Sequence, residues 1–171
     1  VNEMVGRVDR LESKKAVDHW KAKGVDLSGI LYKPEVPSNV GTYCSKTQDH
    51  GLAKALDHRL IELAQSAIER GERVVIDIPI RNVYRTVGTM LSYRISRLHG
   101  EEGLPEDTVR INCRGSAGQS FCAFGAPGLT VRVEGDANDY FGKGLSGAKL
   151  IIYPPRNSPL VPEENILIGN V

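Results

Sequence analysis

Apolar positions along this chain follow two spacings, one helical and one strand-like, and they change over near the middle. Leu52, Leu56, Leu60, Leu63 and Ala67 recur at three and four residues with Arg59, Glu62 and Glu69 between them, which predicts a helix ending at Gly71. A shorter helix is predicted from Ser13 to Lys23, where Ala16, Val17 and Trp20 lie about one turn apart and Gly24 follows as a stop. Between Val25 and His50, Gly29, Pro34, Pro37, Asn39 and Gly41 favour an extended, loop-rich crossing. Beyond Gly71 the texture turns to short β-branched runs broken by glycine, beginning with Val74, Val75, Ile76 and Ile78 before Pro79. One further helix is predicted from Thr89 to His99, with Met90, Leu91, Ile95 and Leu98 as its apolar face and Gly100 as its end.

The strand-like half repeats itself. Laying the segment from Arg110 over that from Thr130, an offset of 20 residues, places Gly115 on Gly135, Ala117 on Ala137, Phe121 on Phe141 and Cys122 on Gly142, while Ile111 and Cys113 fall on Val131 and Val133. A second step of 20 brings Ile151 and Tyr153 onto the same rows. Val83 to Met90 can be laid on Ala117 to Phe124 at a larger offset if the helix ending near His99 is an excursion from one turn; Gly88 then joins the column of Cys122 and Gly142. A strand in each unit of about twenty residues is a solenoid signature, because each unit exposes an apolar face that only its neighbours cover. The expected architecture is mainly β with flanking helices, a right-handed parallel β-helix, with residues 1–72 a helical and loop segment packed on turns formed by 73–171. From the repeat alone, a sandwich of glycine-rich strands stays open.

Gly142-Lys143-Gly144-Leu145-Ser146-Gly147 reads as G-x-G-x-x-G. That fingerprint binds a pyrophosphate only where it follows a strand and opens a helix. Here a turn-forming run, Gly135 to Asp139, precedes it and a strand-like run, Lys149 to Tyr153, follows before Pro154 and Pro155. Gly88, Gly115, Gly118, Gly135, Gly142, Gly144 and Gly147 are therefore read as structural turn positions, and no cofactor is expected on this chain.

Charge and composition narrow the classes further. The 171 residues carry 22 Lys and Arg against 21 Asp and Glu, which leaves no basic stripe for a nucleic-acid backbone. No stretch approaches the roughly 20 apolar residues of a membrane span. Cys44, Cys113 and Cys122 are odd in number and far apart, which suits a reduced, cytoplasmic protein better than a disulfide scaffold or a metal site. His50 and His58 each follow an aspartate, but no nucleophile stands at a meaningful spacing and a structural role is expected. His19 and His99 are expected to favour helix ends. Asp136, Asn138 and Asp139 lack the twelve-residue spacing and closing glutamate of a calcium loop and suit a tight turn. Gln119 and Ser120 have no general base nearby in sequence and are expected to satisfy backbone groups at a corner. No catalytic or metal-binding residue is expected.

Gly115-Ser116-Ala117-Gly118-Gln119-Ser120-Phe121, Glu134 to Tyr140, Gly142 to Gly147, and Pro162 to Ile166 with Gly169-Asn170 resemble, in that order, the C-terminal GXGXG domain of glutamate synthase large subunits. Weaker similarity runs back through Asn82, Arg85, Val87 and Gly88 to Leu56-Asp57-His58. The resemblance implies a right-handed parallel β-helix in a parent enzyme that hydrolyses glutamine and makes glutamate from 2-oxoglutarate with reducing equivalents. It implies a non-catalytic role here. The family's glutaminase uses an N-terminal cysteine, whereas this chain begins with Val1, and FMN and the iron–sulfur cluster are expected elsewhere in the parent. The implied partners are the glutaminase and FMN-bearing synthase domains or subunits, with self-association at the C-terminal end, where Ile166 to Ile168 would form an open edge. A related β-helix subunit of formylmethanofuran dehydrogenases is the alternative. Cys122 stands where the family's run has glycine, so a β-carbon must be accommodated at that corner.

Overall fold

The computed structural model describes residues 2–170; Val1 and Val171, and the side chain of Ala16 from the first expected apolar face, lie outside the description. The chain divides into two compact units, Val1–His50 and Gly51–Val171. In the first, α1 spans Ser13–Val17 and α2 spans Ser28–Leu31, and the crossing expected from Val25 to His50 is otherwise irregular. The helix expected to reach Lys23 stops early because the His19 ring accepts the Lys21 N–H through Nδ1 at 3.2 Å and the chain continues in tight turns, with the Ala22 N–H donating to the His19 carbonyl. Trp20 is 75 % exposed, with the Lys21 ammonium 5.2 Å from its ring centroid.

The second unit opens with α3, Asp57–Leu63, and α4, Gln65–Arg70. The expected single helix bends at Ala64 (φ −91°, ψ 5°), although Ala64 N–H to Leu60 and Ile68 N–H to Ala64 carry the hydrogen bonds across it. Its buried stripe is Leu60, Ala64, Ala67 and Ile68, while Leu52 and Leu63 of the expected stripe are exposed. Gly71, left-handed at φ 69°, closes α4 by donating to the Ala67 carbonyl. Helix α5 occupies the expected Thr89–His99, burying Leu91 and Ile95 but leaving Leu98 outside.

Among the described residues there are four strands, the first of them before α5: β1 Val74–Ile80, β2 Val109–Ala117, β3 Leu129–Ala137 and β4 Lys149–Tyr153. They form one sheet in chain order, and every pairing is parallel, which excludes the antiparallel sandwich. Pro79 lies inside β1, where a residue with no N–H is tolerated because β1 is an edge strand. The β2–β3 register is the 20-residue offset read from the sequence: Arg110 pairs Thr130, Cys113 pairs Val133, Gly115 pairs Gly135 and Ala117 pairs Ala137.

The next step is 19 residues. Val131 pairs Leu150 and Val133 pairs Ile152, so Ile151 and Tyr153 lie one position away from the rows expected for them. The first step is 35 residues, Val74 to Val109, because α5 is inserted between β1 and β2. Stacked strands put like residues above one another on one face, in columns such as Ile76, Ile111, Val131 and Leu150. These columns join Leu60, Leu91 and Ile95 of the helices in a single apolar cluster. Fully burying one such side chain contributes about 1.5–3 kcal/mol, so the columns dominate the cohesion of this unit.

Candidate functional site

The glycines singled out from sequence divide between the sheet and a column of corners beside it. Gly115 (φ 122°) and Gly135 (φ 153°) are paired residues of β2 and β3, and a Cβ on Gly135 would overlap the Gly115 carbonyl. Gly118 needs no positive φ but lies against the Tyr84 and Asn82 carbonyls. Gly147 (φ 107°) packs against Pro127. Gly88, Gly142 and Gly144 belong to the corners.

Each corner alternates left-handed residues with ordinary ones: Thr86 and Gly88 in the first, Ser120, Cys122 and Phe124 in the second, Tyr140, Gly142 and Gly144 in the third. Their amides link one level to the next. Thr86 N–H donates to the Gln119 carbonyl at 2.8 Å, Ser120 N–H to Asp139 at 2.9 Å, and Tyr140 N–H to Asn170. In the opposite sense, Cys122 N–H donates to Val87 at 2.7 Å and Gly142 N–H to Phe121 at 2.9 Å. Gln119 and Ser120 thus serve the corner backbone, and Asp139 accepts the Asn170 N–H through Oδ1 at 2.8 Å.

Gly142 to Gly147 follows a turn and leads into β4, and its N–H groups on Gly142, Lys143, Leu145 and Ser146 all donate to backbone carbonyls. An anion-binding loop needs such groups free. Here they are consumed by the column. Inside it, the Phe121 and Phe141 rings stack with centroids 5.7 Å apart.

Cys122 keeps the left-handed conformation (φ 51°) despite its β-carbon, and is fully buried. Its thiol fits because two glycines leave room, Gly88 on the preceding level and Gly125 three residues on: a Cβ on Gly88 would lie 3.2 Å from Sγ, and one on Gly125 3.0 Å. Burial first, then the nearby Asp57 charge, pushes the Cys122 thiol up to about 12, and burial does the same for Cys113 on β2.

Asp57 is the residue that sequence reading passed over. At 2 % exposure, its two carboxyl oxygens accept the Gly88 N–H at 3.0 Å each, and Oδ1 also accepts the Leu91 N–H at 3.0 Å. It thereby caps α5, whose own N-cap, Gly88, has no side chain to do so. Burial holds the Asp57 carboxyl above its usual range, partly offset by the N–H groups of Gly88, Leu91 and Met90. Ser92 extends the network, its Oγ donating to the Gly88 carbonyl at 2.7 Å and accepting the Ala126 N–H at 3.2 Å. The only signal in the sequence was the position of Asp57 in the weaker part of the resemblance, since its partners are 31 to 34 residues away.

The histidines hold backbone. His58 Nε2 meets the Leu52 carbonyl at 2.9 Å, and His99 Nε2 meets the Ile68 carbonyl of α4 at 2.7 Å rather than the end of its own helix. Beside His58, a surface cleft of about 490 Å³ opens between α3, α4 and α5, lined by Glu62 and Glu69 and by Arg94 and Arg97.

A protein-family model described as "GXGXG motif" matches residues 57–171. This chain belongs to the GXGXG family. The matched span opens at Asp57 and takes in all four strands and all the corners. The GXGXG chain is 51 % identical over 172 residues to "Glutamate synthase [NADH]" of Schizosaccharomyces pombe, an alignment covering 100 % of this chain and 8 % of that protein. It is 45 % identical to "Glutamate synthase [NADPH] large chain" of Bacillus subtilis, over 99 % of this chain and 11 % of the relative. It is 32 % identical to "Ferredoxin-dependent glutamate synthase, chloroplastic" of Spinacia oleracea, over 99 % and 10 %. The chain therefore spans about a tenth of the length of these curated relatives.

Proposed function

We propose that this chain is the non-catalytic framework of a glutamate synthase, a right-handed parallel β-helix whose stacked turns hold the glutaminase and FMN-bearing synthase parts in relation to one another. The observation that carries this reading is the alignment of the whole chain with relatives named for NADH, NADPH and ferredoxin. A segment shared among proteins named for three reductants suits a common scaffold better than a reductant site. Right-handedness is supported by the parallel connections of the sheet, since nearly all such crossovers take that hand. The internal use of the motif amides supports a framework role, with FMN and the iron–sulfur cluster carried elsewhere in the parent.

Strand β4 is paired on one side only, and the ladder passes from Ala137 to a single bridge at Ile168. Such an edge recruits another chain or domain, so the isolated chain self-associates through this end. We place the protein in the cytoplasm, in keeping with its free cysteines.

The test is a parent enzyme lacking this segment, assayed for glutamine- and 2-oxoglutarate-dependent oxidation of reductant with and without the chain supplied in trans. Loss of coupled turnover, restored by a chain that has no turnover of its own, is expected. Full coupled activity in the deletion protein overturns the framework reading. Calorimetric titration of the chain with NAD(H), NADP(H), FMN and ATP is expected to show no saturable heat; a micromolar site abolished by Gly144→Trp overturns the structural reading of the motif.

A further inference from the structure

We propose that Asp57 is the latch of a short strap, residues 86–91, that closes the corner column over the Cys122 thiol. With the Asp57 carboxyl oxygens in place the strap is sealed; without them it opens locally, and Cys122 becomes reactive while Cys113 on β2 stays protected. The strap runs from the first corner into the first turn of α5, and Gly88 at its middle lies directly against Sγ of Cys122. Three hydrogen bonds to Asp57 hold that middle: two from the Gly88 N–H, one to each carboxyl oxygen, and one from the Leu91 N–H.

The flanks are tied separately, by Thr86 N–H to Gln119, by Val87 accepting from Cys122, and by the Thr89 hydroxyl donating to the Ala123 carbonyl at 2.9 Å. Around the carboxylate the charged and titratable neighbours are His58 on α3 and Cys122 on the second corner. The carboxyl group is thus fastened by backbone N–H donors, and no side chain on the strap replaces it if it is lost. β1 is paired with β2 along its whole length, Val74 to Ile80 on Val109 to Gly115, so an opened strap leaves the sheet register intact.

The experiment uses the full chain with exposed Cys44 changed to Ser, so that the two buried thiols are the only ones remaining. Alkylation by iodoacetamide at mildly alkaline pH is followed by peptide mass spectrometry, which reads Cys122 and Cys113 separately. Both thiols are pushed up to about 12, and because the Asp57 charge contributes at Cys122 but not at Cys113, rates are taken at several pH values so that a change in acidity is separated from a change in access. Asp57→Ala orphans the Gly88 and Leu91 N–H groups and is expected to raise the Cys122 rate about 30-fold or more. Cys113, reached only through a larger opening, is expected to remain at least about tenfold slower than Cys122 in that variant. Equal rates for the two thiols in Asp57→Ala, or no acceleration of Cys122, overturns the latch. If Asp57→Ala does not fold, hydrogen exchange on the unaltered chain decides. Leu91 and Gly88 amides exchanging through a smaller opening than Val131 and Val133 support the strap, and exchange of all four through one common opening refutes it.

Discussion

Gly135→Ala tests whether close stacking of β2 on β3, rather than backbone freedom alone, demands glycine in this sheet. The residue sits at φ 153° in register with Gly115, and its new methyl group would overlap the Gly115 carbonyl; a Cβ on Gly115 would in turn strike the Ile80 carbonyl in β1. Neither obstacle is the free end of a side chain, so relief requires moving a strand. Strain at such a φ costs about 1–3 kcal/mol, and forcing packed elements apart costs about 1–3 kcal/mol more, giving roughly 2–6 kcal/mol. Gly71→Ala is the control, because Gly71 is also left-handed (φ 69°) but has open space where its Cβ would stand; its cost is the conformational one alone, about 1–2 kcal/mol. At roughly 4 °C per kcal/mol for a unit of this size, thermal unfolding followed by circular dichroism is expected to show a Tm lowered by about 8–24 °C for Gly135→Ala and about 4–8 °C for Gly71→Ala. A Gly135→Ala protein melting with Gly71→Ala, or above it, would refute the stacking argument.

Ile111→Ala removes a 1 % exposed side chain from the centre of the column formed with Ile76, Val131 and Leu150, and urea unfolding is expected to show a loss of about 2–5 kcal/mol. Two aspartates give opposite pH limbs. Asp57 has its folded pKa raised above the usual 3.8, so its contribution is fully present below that value and is lost as pH rises through the folded pKa; Asp57→Asn is expected to remove this slope from unfolding free energies measured across the acid range. Asp107, held at about 2 mainly by hydrogen bonding with Arg110, contributes above 3.8 and loses its contribution as pH falls toward 2, a limb that Asp107→Asn is expected to remove.

How much of this was legible in the sequence depends on whether a feature repeats within one turn. Parallel strands in register bring equivalent residues together, so the pairing of Gly115 with Gly135 and Ala117 with Ala137 could be read by sliding the chain along itself. The α5 boundaries were legible too, because the apolar period and Gly100 agree. The slip at β4 was not. Left-handed Phe124 and Gly144 remain 20 residues apart, whereas left-handed Gly128 and Gly147, at corresponding ends of the two turns, are 19 apart. One residue is therefore missing between those points, and a one-residue slip exchanges the faces of a strand. Leu150, Ile151, Ile152 and Tyr153 carry no polar residue to reveal which alternate pair faces inward.

Asp57 fails the same test of legibility for a different reason. Its partners lie on a segment inserted once and never repeated, so no self-comparison of the chain exposes them, and the helix expected from Leu52 placed Asp57 inside its span. It caps α5 instead. The insertion lengthens the first strand-to-strand step to 35 residues and brings a helix start into the column, and that start has no capping side chain of its own. A repeat supplies its own hydrogen-bond partners from the level above and below, but an insertion has no copy of itself to bond with. Its exposed amides must be met from outside the repeat, and Asp57 does this from α3. The parallel sheet and the helix inserted between its first two strands are therefore joined at a carboxylate, which is why a side chain outside the strands controls access to a thiol within the column.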